Sequence, residues 1–308
     1  MSKGKVLVTP RSATKPPHES LSRISDAGYE LVIPSPGALP TLDMQLACAD
    51  QIVGYLAGVE QIGKDFLSRA SQLRVISRNG TGSDAIDLAA AKQFGIEVRT
   101  APAANAQGVA ELTIGLILQA TRNLAATSSA FARGEWSRQL GIELQGRTLG
   151  LVGCGQIGKR VAQIALGFGM RVRAFDAYAD PSFKPAGDFQ FASFEEVLES
   201  SQILSLHCPP SEKPIIGRTE LAKLEPGAYL INTARFGLVD LGAVFEELKS
   251  GKLAGFACDA FEPEPPEPHP VYRHENFIGT AHIGGYTKES IERAMQASVD
   301  NLLAVLES

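Results

Sequence analysis

The chain has 308 residues, 44% of them hydrophobic, with 29 Lys and Arg against 34 Asp and Glu and a formal net charge of −5. That length and apolar content suit two ordinary cores better than one, and a mildly acidic balance without any Lys/Arg block excludes nucleic acid as the expected partner. No stretch is apolar for membrane-spanning length and MSKGKVLVTP is too short for a signal peptide. Cys48, Cys154, Cys208 and Cys258 are scattered without CxxC or metal-ligand spacing, so a cytosolic chain with reduced thiols and no metal is expected.

In chain order, the apolar runs at 6–8, 52–56, 73–77 and 96–99 predict strands of a first α/β unit. Val109, Leu112, Leu116, Leu118, Leu124 and Phe131 keep helical spacing, which predicts one long helix over 108–133, stopped at Gly134 and able to link two domains. Further strands are expected at 149–152, 172–175, 203–206, 228–231, 254–257 and 277–280, with helical segments between most of them. The fold class this predicts is α/β: two Rossmann-like doubly wound parallel-sheet domains joined by long helices. Lys288 to Glu307 has helical spacing but no sheet of its own, so it is expected to return to the first domain. The domains then run over 1–101 plus 286–308, and over 102–285. PEPPEPHP, 263–270, reads as a stiff surface loop of polyproline character.

The stretch LGLVGCGQIG, 149–158, turns an apolar strand into Gly153-x-Gly155-x-x-Gly158 and then a helix over 157–166, and a second apolar run ends at Asp176. Gly153 permits a tight turn, Gly155 lets the backbone approach a pyrophosphate, and Gly158 lets helix and strand pack closely, with helix N–H groups facing the phosphates. Asp176 sits where a carboxylate accepts both adenosine ribose hydroxyls and repels a 2′-phosphate, so NAD is expected rather than NADP. Arg171 and Arg173 lie nearby, before the strand end. Open α/β sheets bind ligands beyond the carboxyl ends of their strands. There the chain places His207-Cys208-Pro209, Asn232-Thr233-Ala234-Arg235, Asp259 with Glu264 on the following loop, and His282-Ile283-Gly284-Gly285.

These segments, with RNGTG (78–82), SDAIDL, VAELTIG (109–115), GEW (134–136) and DAFEPEP, resemble the D-isomer-specific 2-hydroxyacid dehydrogenase family over nearly the whole chain, most of all its phosphoglycerate dehydrogenase branch. The resemblance implies hydride transfer between nicotinamide and C2 of a D-2-hydroxy acid/2-keto acid pair. His282 would be the general base in oxidation and acid in reduction, as an imidazole titrating near neutrality suits both. Glu264 would hold the other ring nitrogen, and Arg235 would grip the substrate carboxylate through its planar fork. Arg78, Asn79, Gly80, Thr81 and Gly82 would complete the substrate contacts, which makes the first domain the substrate-binding lid. The cofactor positions would be Thr81, Gly153, Gly155, Gln156, Ile157, Gly158, Asp176, His207, Cys208, Thr233, Ala234, Asp259, Gly284 and Gly285. A homodimer formed through the long-helix region is expected, with His18, His269 and His274 solvated.

Four departures touch the implied site. Phe236 stands where the family has Gly, and its ring either lines the pocket or faces solvent. Ala281 replaces Pro before the catalytic His, and Ala85 replaces Asn. The loop after the 52–56 strand reads Ala57-Gly58-Val59 where the phosphoglycerate branch has a base, which leaves Arg78 as the remaining basic candidate. Glu262 and Glu267 compete with Glu264 for its assignment. The chain ends without the regulatory extension of many phosphoglycerate dehydrogenases, so serine feedback through such a domain is not expected. Two alternatives stay open: phosphoglycerate dehydrogenase proper, of serine biosynthesis, and a non-catalytic, NAD-sensing corepressor-like binding protein, since fold alone does not separate them.

Overall fold

Five short parallel strands make the first sheet: β1 (Lys5–Val8), β2 (Glu30–Val32), β3 (Ile52–Ala57), β4 (Val75–Arg78) and β5 (Glu97–Thr100), in the order β2-β1-β3-β4-β5. They belong to a computed structural model that describes residues 2–308. The central strands are continuous apolar runs because helices cover both faces of a parallel sheet. Leu7, Tyr55 and Ile76 pack with Phe66 and Leu67 of the helix Lys64–Arg69 on one side. On the other side Val6, Val8 and Leu56 pack with Met295, Val299 and Leu302 of the C-terminal helix Lys288–Leu306. Each such buried side chain contributes roughly 1.5–3 kcal/mol, which explains why this distant segment docks here. Polar ties fix its register: Ser77 Oγ donates to the Ser298 carbonyl (2.7 Å), and Arg74 donates to the Val305 and Leu306 carbonyls (2.6 and 2.9 Å). The first unit therefore runs to Asn105 and resumes at Thr287.

Residues 106–286 form the second unit. Its seven strands are β6 (Thr148–Val152), β7 (Arg171–Phe175), β8 (Phe189–Phe191), β9 (Ile203–Leu206), β10 (Ala228–Asn232), β11 (Leu253–Cys258) and β12 (Phe277–Gly279). All pair in parallel, in the order β12-β11-β10-β9-β6-β7-β8. The strand order reverses between β6 and β9, so the crevice at their carboxyl ends is the switch point where a dinucleotide binds in such sheets. Both sheets are of the α/β doubly wound class expected from the sequence. The sequence does not announce β2 and β8; each is a three-residue edge strand, too short to show a period.

The expected single helix over 108–133 is two helices, Ala106–Arg122 and Leu124–Ala132. Asn123 between them has φ +52°, a left-handed conformation that a short polar side chain tolerates better than most. The first helix buries Val109, Ile114, Leu116 and Ile117, whereas the second buries only Ala130. The apolar spacing runs on past Asn123 and hides the break. A second correction concerns three histidines. His18, His269 and His274 are not simply solvated; each Nδ1 accepts a backbone N–H, of Ser20, Val271 and Asn276 respectively, at 3.2 Å. His18 Nε2 also lies 3.1 Å from Glu292.

Candidate active site

After β6 the chain turns through Gly153 at φ +97°, and the helix Gln156–Gly167 begins. A Cβ added at Gly153 would lie 2.5 Å from the His207 carbonyl carbon, and one at Gly158 2.3 Å from the Gly153 oxygen, so both glycines are imposed by backbone packing. Gly155 is different. It is exposed and an added Cβ would meet nothing within 4 Å, so no packing contact within the chain imposes this glycine. Gln156 beside it is exposed, and the first helical N–H groups have no partner within the helix. Asp176, at the end of β7, accepts from the N–H groups of Cys154 (2.7 Å) and Tyr178 (2.8 Å), which fixes its carboxylate beside this turn. Arg173 is engaged elsewhere, with Asp188 at 2.8 Å. This cradle, with an open glycine, a helix start and an acceptor carboxylate, fits a pyrophosphate-linked ribose.

His207 follows β9 and closes the other side of the turn, its N–H donating to the Val152 carbonyl at 2.7 Å. Its Nε2 meets Ser205 Oγ at 2.9 Å while Nδ1 has no hydrogen-bond partner. Burial pushes the imidazole down to about 3, so it stays neutral. Burial likewise pushes the neighbouring Cys208 thiol up to about 11 and that of Cys154 up to about 12, so neither is a thiolate at neutral pH.

The ends of β10, β11 and β12 hold the rest of the second unit's predicted residues. Fully buried Asn232 shapes the first loop, its Nδ2 donating to the Arg235 carbonyl (2.8 Å) and its Oδ1 accepting from the Ala234 N–H (3.1 Å). Thr233 Oγ1 pairs with Thr113 Oγ1 at 2.9 Å. His282 has φ +52°, at a cost of roughly 1–2 kcal/mol for a residue with a Cβ. Asp259, only 2% exposed, holds that turn. Its Oδ1 accepts from Thr280 Oγ1 (2.6 Å) and the Ile283 N–H (2.9 Å), and its Oδ2 from the Gly284 N–H (2.9 Å). Bonds to a carboxylate are among the stronger ones, which is how the strained turn persists. Sequence reasoning missed this work of Asp259 and the part of Thr280, because it depends on β11 and β12 lying side by side.

The His282 side chain is about half exposed, and its Nδ1 lies 2.6 Å from Glu264 Oε1. Of the three glutamates in that loop, Glu264 is the one brought to the histidine. The same oxygen accepts the Phe261 N–H at 3.3 Å. Phe236, for which the sequence left two orientations open, packs its ring at 5.9 Å from Phe261. In the first unit, Arg78, Asn79, Gly80, Thr81 and Gly82 follow β4. The Arg78 guanidinium folds back to donate to the Asn79 carbonyl, the Asn79 N–H donates to the Ala57 carbonyl (2.8 Å), and Thr81 Oγ1 donates to Asn105 Oδ1 (3.2 Å).

Residues 114–284 match the model of the D-isomer-specific 2-hydroxyacid dehydrogenase NAD-binding domain. The chain belongs to the D-isomer-specific 2-hydroxyacid dehydrogenase family. It is 36% identical over 298 residues to a D-3-phosphoglycerate dehydrogenase of Methanocaldococcus jannaschii, covering 95% of this chain and 56% of that protein. It is 37% identical over 240 residues to a hydroxypyruvate reductase of Thermotoga maritima, covering 76% and 78%. The chain thus spans little more than half the length of the phosphoglycerate dehydrogenase it matches. Among solved structures, the TT0316 protein of Thermus thermophilus superimposes with a TM-score of 0.90 at 36% identity, over 98% of this chain and 97% of that one. The matched NAD-binding domain is the unit that carries the glycine cradle and Asp176. Among the described residues no His, Cys, Asp and Glu gather as a metal site, and no helix is long and apolar enough to cross a membrane.

Proposed function

We propose that the chain is an NAD-dependent oxidoreductase that interconverts a D-2-hydroxy acid and its 2-keto acid, with His282, Glu264 and Arg235 as its catalytic residues. The observation that carries this is the 2.6 Å contact between His282 Nδ1 and Glu264 in the NAD-binding unit. With Nδ1 held by the carboxylate, Nε2 is the ring nitrogen left to face substrate. In oxidation Nε2 takes the proton of the C2 hydroxyl as the C–O bond becomes a carbonyl, and in reduction it returns that proton. Glu264 stabilises the imidazolium in between. Arg235 holds the substrate carboxylate, and Arg78, Asn79, Gly80, Thr81 and Gly82 are further substrate-binding residues of this reading. When bound, the nicotinamide supplies or accepts the hydride. On its side, Thr81, Gln156, Ile157, His207, Cys208, Thr233, Ala234, Gly284 and Gly285 would line the cofactor with the glycine cradle. A neutral His207 there adds no charge that titrates near neutrality.

Substrates without phosphate fit better than phosphoglycerate, because Ala57-Gly58-Val59 carries no base. A binding protein of corepressor type would bind NADH without turning over any 2-keto acid. The experiment is a panel of glyoxylate, hydroxypyruvate, 3-phosphohydroxypyruvate and a short aliphatic 2-keto acid with NADH and NADPH. Turnover with NADH supports the reading, and none with any substrate refutes it.

We also propose a homodimer in a reducing compartment. Its support is the exposure of Leu124 (50%), Phe131 (69%), Trp136 (83%) and Leu140 (99%) on one short stretch of the second unit, together with four unpaired cysteines. Light scattering across a dilution series should give about twice the 32.8 kDa chain mass, and a stable monomer would refute it.

A further inference from the structure

The first sheet, in the order β2-β1-β3-β4-β5, has its own switch point between β1 and β3. Ligands of such sheets sit in the crevice beyond the carboxyl ends there, and anionic ones are held by free N–H groups or by basic side chains. Here the crevice is arranged against an anion. The Thr9 N–H, after β1, donates to the Leu56 carbonyl at 3.1 Å, and Pro10 has no N–H to offer. The Gly58 N–H, after β3, is shared between Glu60 Oε1 (3.0 Å) and Thr9 Oγ1 (3.1 Å).

Glu60 is 95% buried at this point, being 5% exposed, and Oε1 also accepts from Thr9 Oγ1 and from the Tyr55 hydroxyl (2.9 Å). Its Oε2 is buried without a hydrogen-bond partner and points under Gly58, where an added Cβ would lie 2.7 Å from it. A buried carboxylate with one oxygen unmatched projects its charge into the space beside it more strongly than a solvated one does. The Tyr55 hydroxyl that bonds it is pushed far above its ordinary value, by burial first and then by the neighbouring Glu60. The Asn79 N–H bond to the Ala57 carbonyl ties this loop to the turn that carries Arg78 to Gly82.

We infer that Glu60 is a specificity-determining residue whose carboxylate excludes an anionic substituent from the β1/β3 crevice. The D-2-hydroxy acid used here then carries an uncharged group beyond C2, and neither a phosphate nor a second carboxylate. Discrimination by an unfavourable charge is as effective as added attraction to the preferred substrate. The inference rests on the dehydrogenase reading above, and it adds to the missing base a residue that acts against phosphate.

The test compares wild type, Glu60→Gln and Val59→Lys. In each, kcat/KM with NADH is measured for hydroxypyruvate and 3-phosphohydroxypyruvate, and calorimetry on the NADH-loaded protein, where the hydroxy acids do not react, gives Kd for glycerate and 3-phosphoglycerate. Wild type should favour the unphosphorylated member of each pair. Glu60→Gln should raise the phosphorylated compound relative to its partner roughly tenfold, the scale of one charge removed near a partly solvated group. Val59→Lys, at a 40% exposed position in the same loop, should move the ratio the same way, and no movement would overturn the placement of the substituent in this crevice even if Glu60→Gln does not fold. Ratios within twofold of wild type in the folded variants would overturn the inference, as would a wild-type preference for the phosphorylated compounds. An absence of turnover with every keto acid would count against the dehydrogenase reading alone, and the two Kd ratios would still judge Glu60.

Discussion

The two units place the same architecture, a parallel sheet with a switch point, beside opposite chemistry. Beyond β6 the chain puts Gly153 in a left-handed turn, an exposed Gly155 on which an added Cβ would meet nothing within 4 Å, and the start of a helix. Beyond β1 it puts Thr9 and Pro10, and the neighbouring loop turns the Glu60 carboxylate inward to occupy the donors. On the readings proposed above, one crevice receives a pyrophosphate and the other refuses an anion. The difference lies in a few residues at strand ends, so fold alone does not say which sheet of a two-sheet protein takes the phosphates.

Removing the imidazole should give the largest effect on the second unit's side of this contrast. His282→Ala is expected to lower kcat by about 10² to 10⁴ while leaving the NAD Kd nearly unchanged, since the glycine cradle is untouched. Comparable turnover in the variant would remove His282 from the chemistry.

The glycines separate folding from cofactor approach. Gly158→Ala drives a Cβ against the Gly153 oxygen and should cost about 1–3 kcal/mol of stability, along with NAD binding. Gly155→Ala meets no protein atom, so thermal unfolding should stay put while NAD affinity falls roughly tenfold. Equal NAD affinity in Gly155→Ala would mean that the backbone there does not face the cofactor.

Cofactor choice should follow Asp176, whose carboxylate is fixed by two N–H groups. Wild type should prefer NADH to NADPH in kcat/KM, and Asp176→Ser should narrow that preference by roughly tenfold. An NADPH preference in wild type would contradict the assignment.

The last effect is in pH dependence. The His207 imidazole is lowered from 6.5 to about 3 in the folded chain, so the unfolded chain takes up its proton first as pH falls. Its contribution to stability is therefore full above 6.5 and is lost as pH falls toward 3, at up to about 1.4 kcal/mol per pH unit. Denaturant unfolding of wild type and His207→Gln at pH 7, 5.5 and 4 should show a shallower decline in the variant; parallel curves would place the ring in contact with water.

The sequence by itself determined what is local. The βαβ run from Leu149 to Asp176 carries strand, turn, helix and carboxylate within 28 residues, and its glycine spacing is dictated by backbone contacts that any such turn makes. The apolar runs likewise located ten of the twelve strands, because continuous burial leaves a continuous hydrophobic signature. Tertiary structure decided what depends on residues far apart in the chain. The family resemblance pointed to Glu264 among three neighbouring glutamates, whereas composition and spacing did not separate them, and the path of the 259–264 loop beside β12 is what brings its carboxylate to His282. Asp259 acquires its turn-holding bonds from a strand added next to its own, and Glu60 finds Thr9 across 51 residues of sequence. Asn123 breaks a helix that apolar periodicity carries straight through, because a left-handed residue changes direction without interrupting the pattern. Local spacing encodes which elements form, whereas a charged side chain takes its partners from the ends of strands that only the assembled sheet makes neighbours.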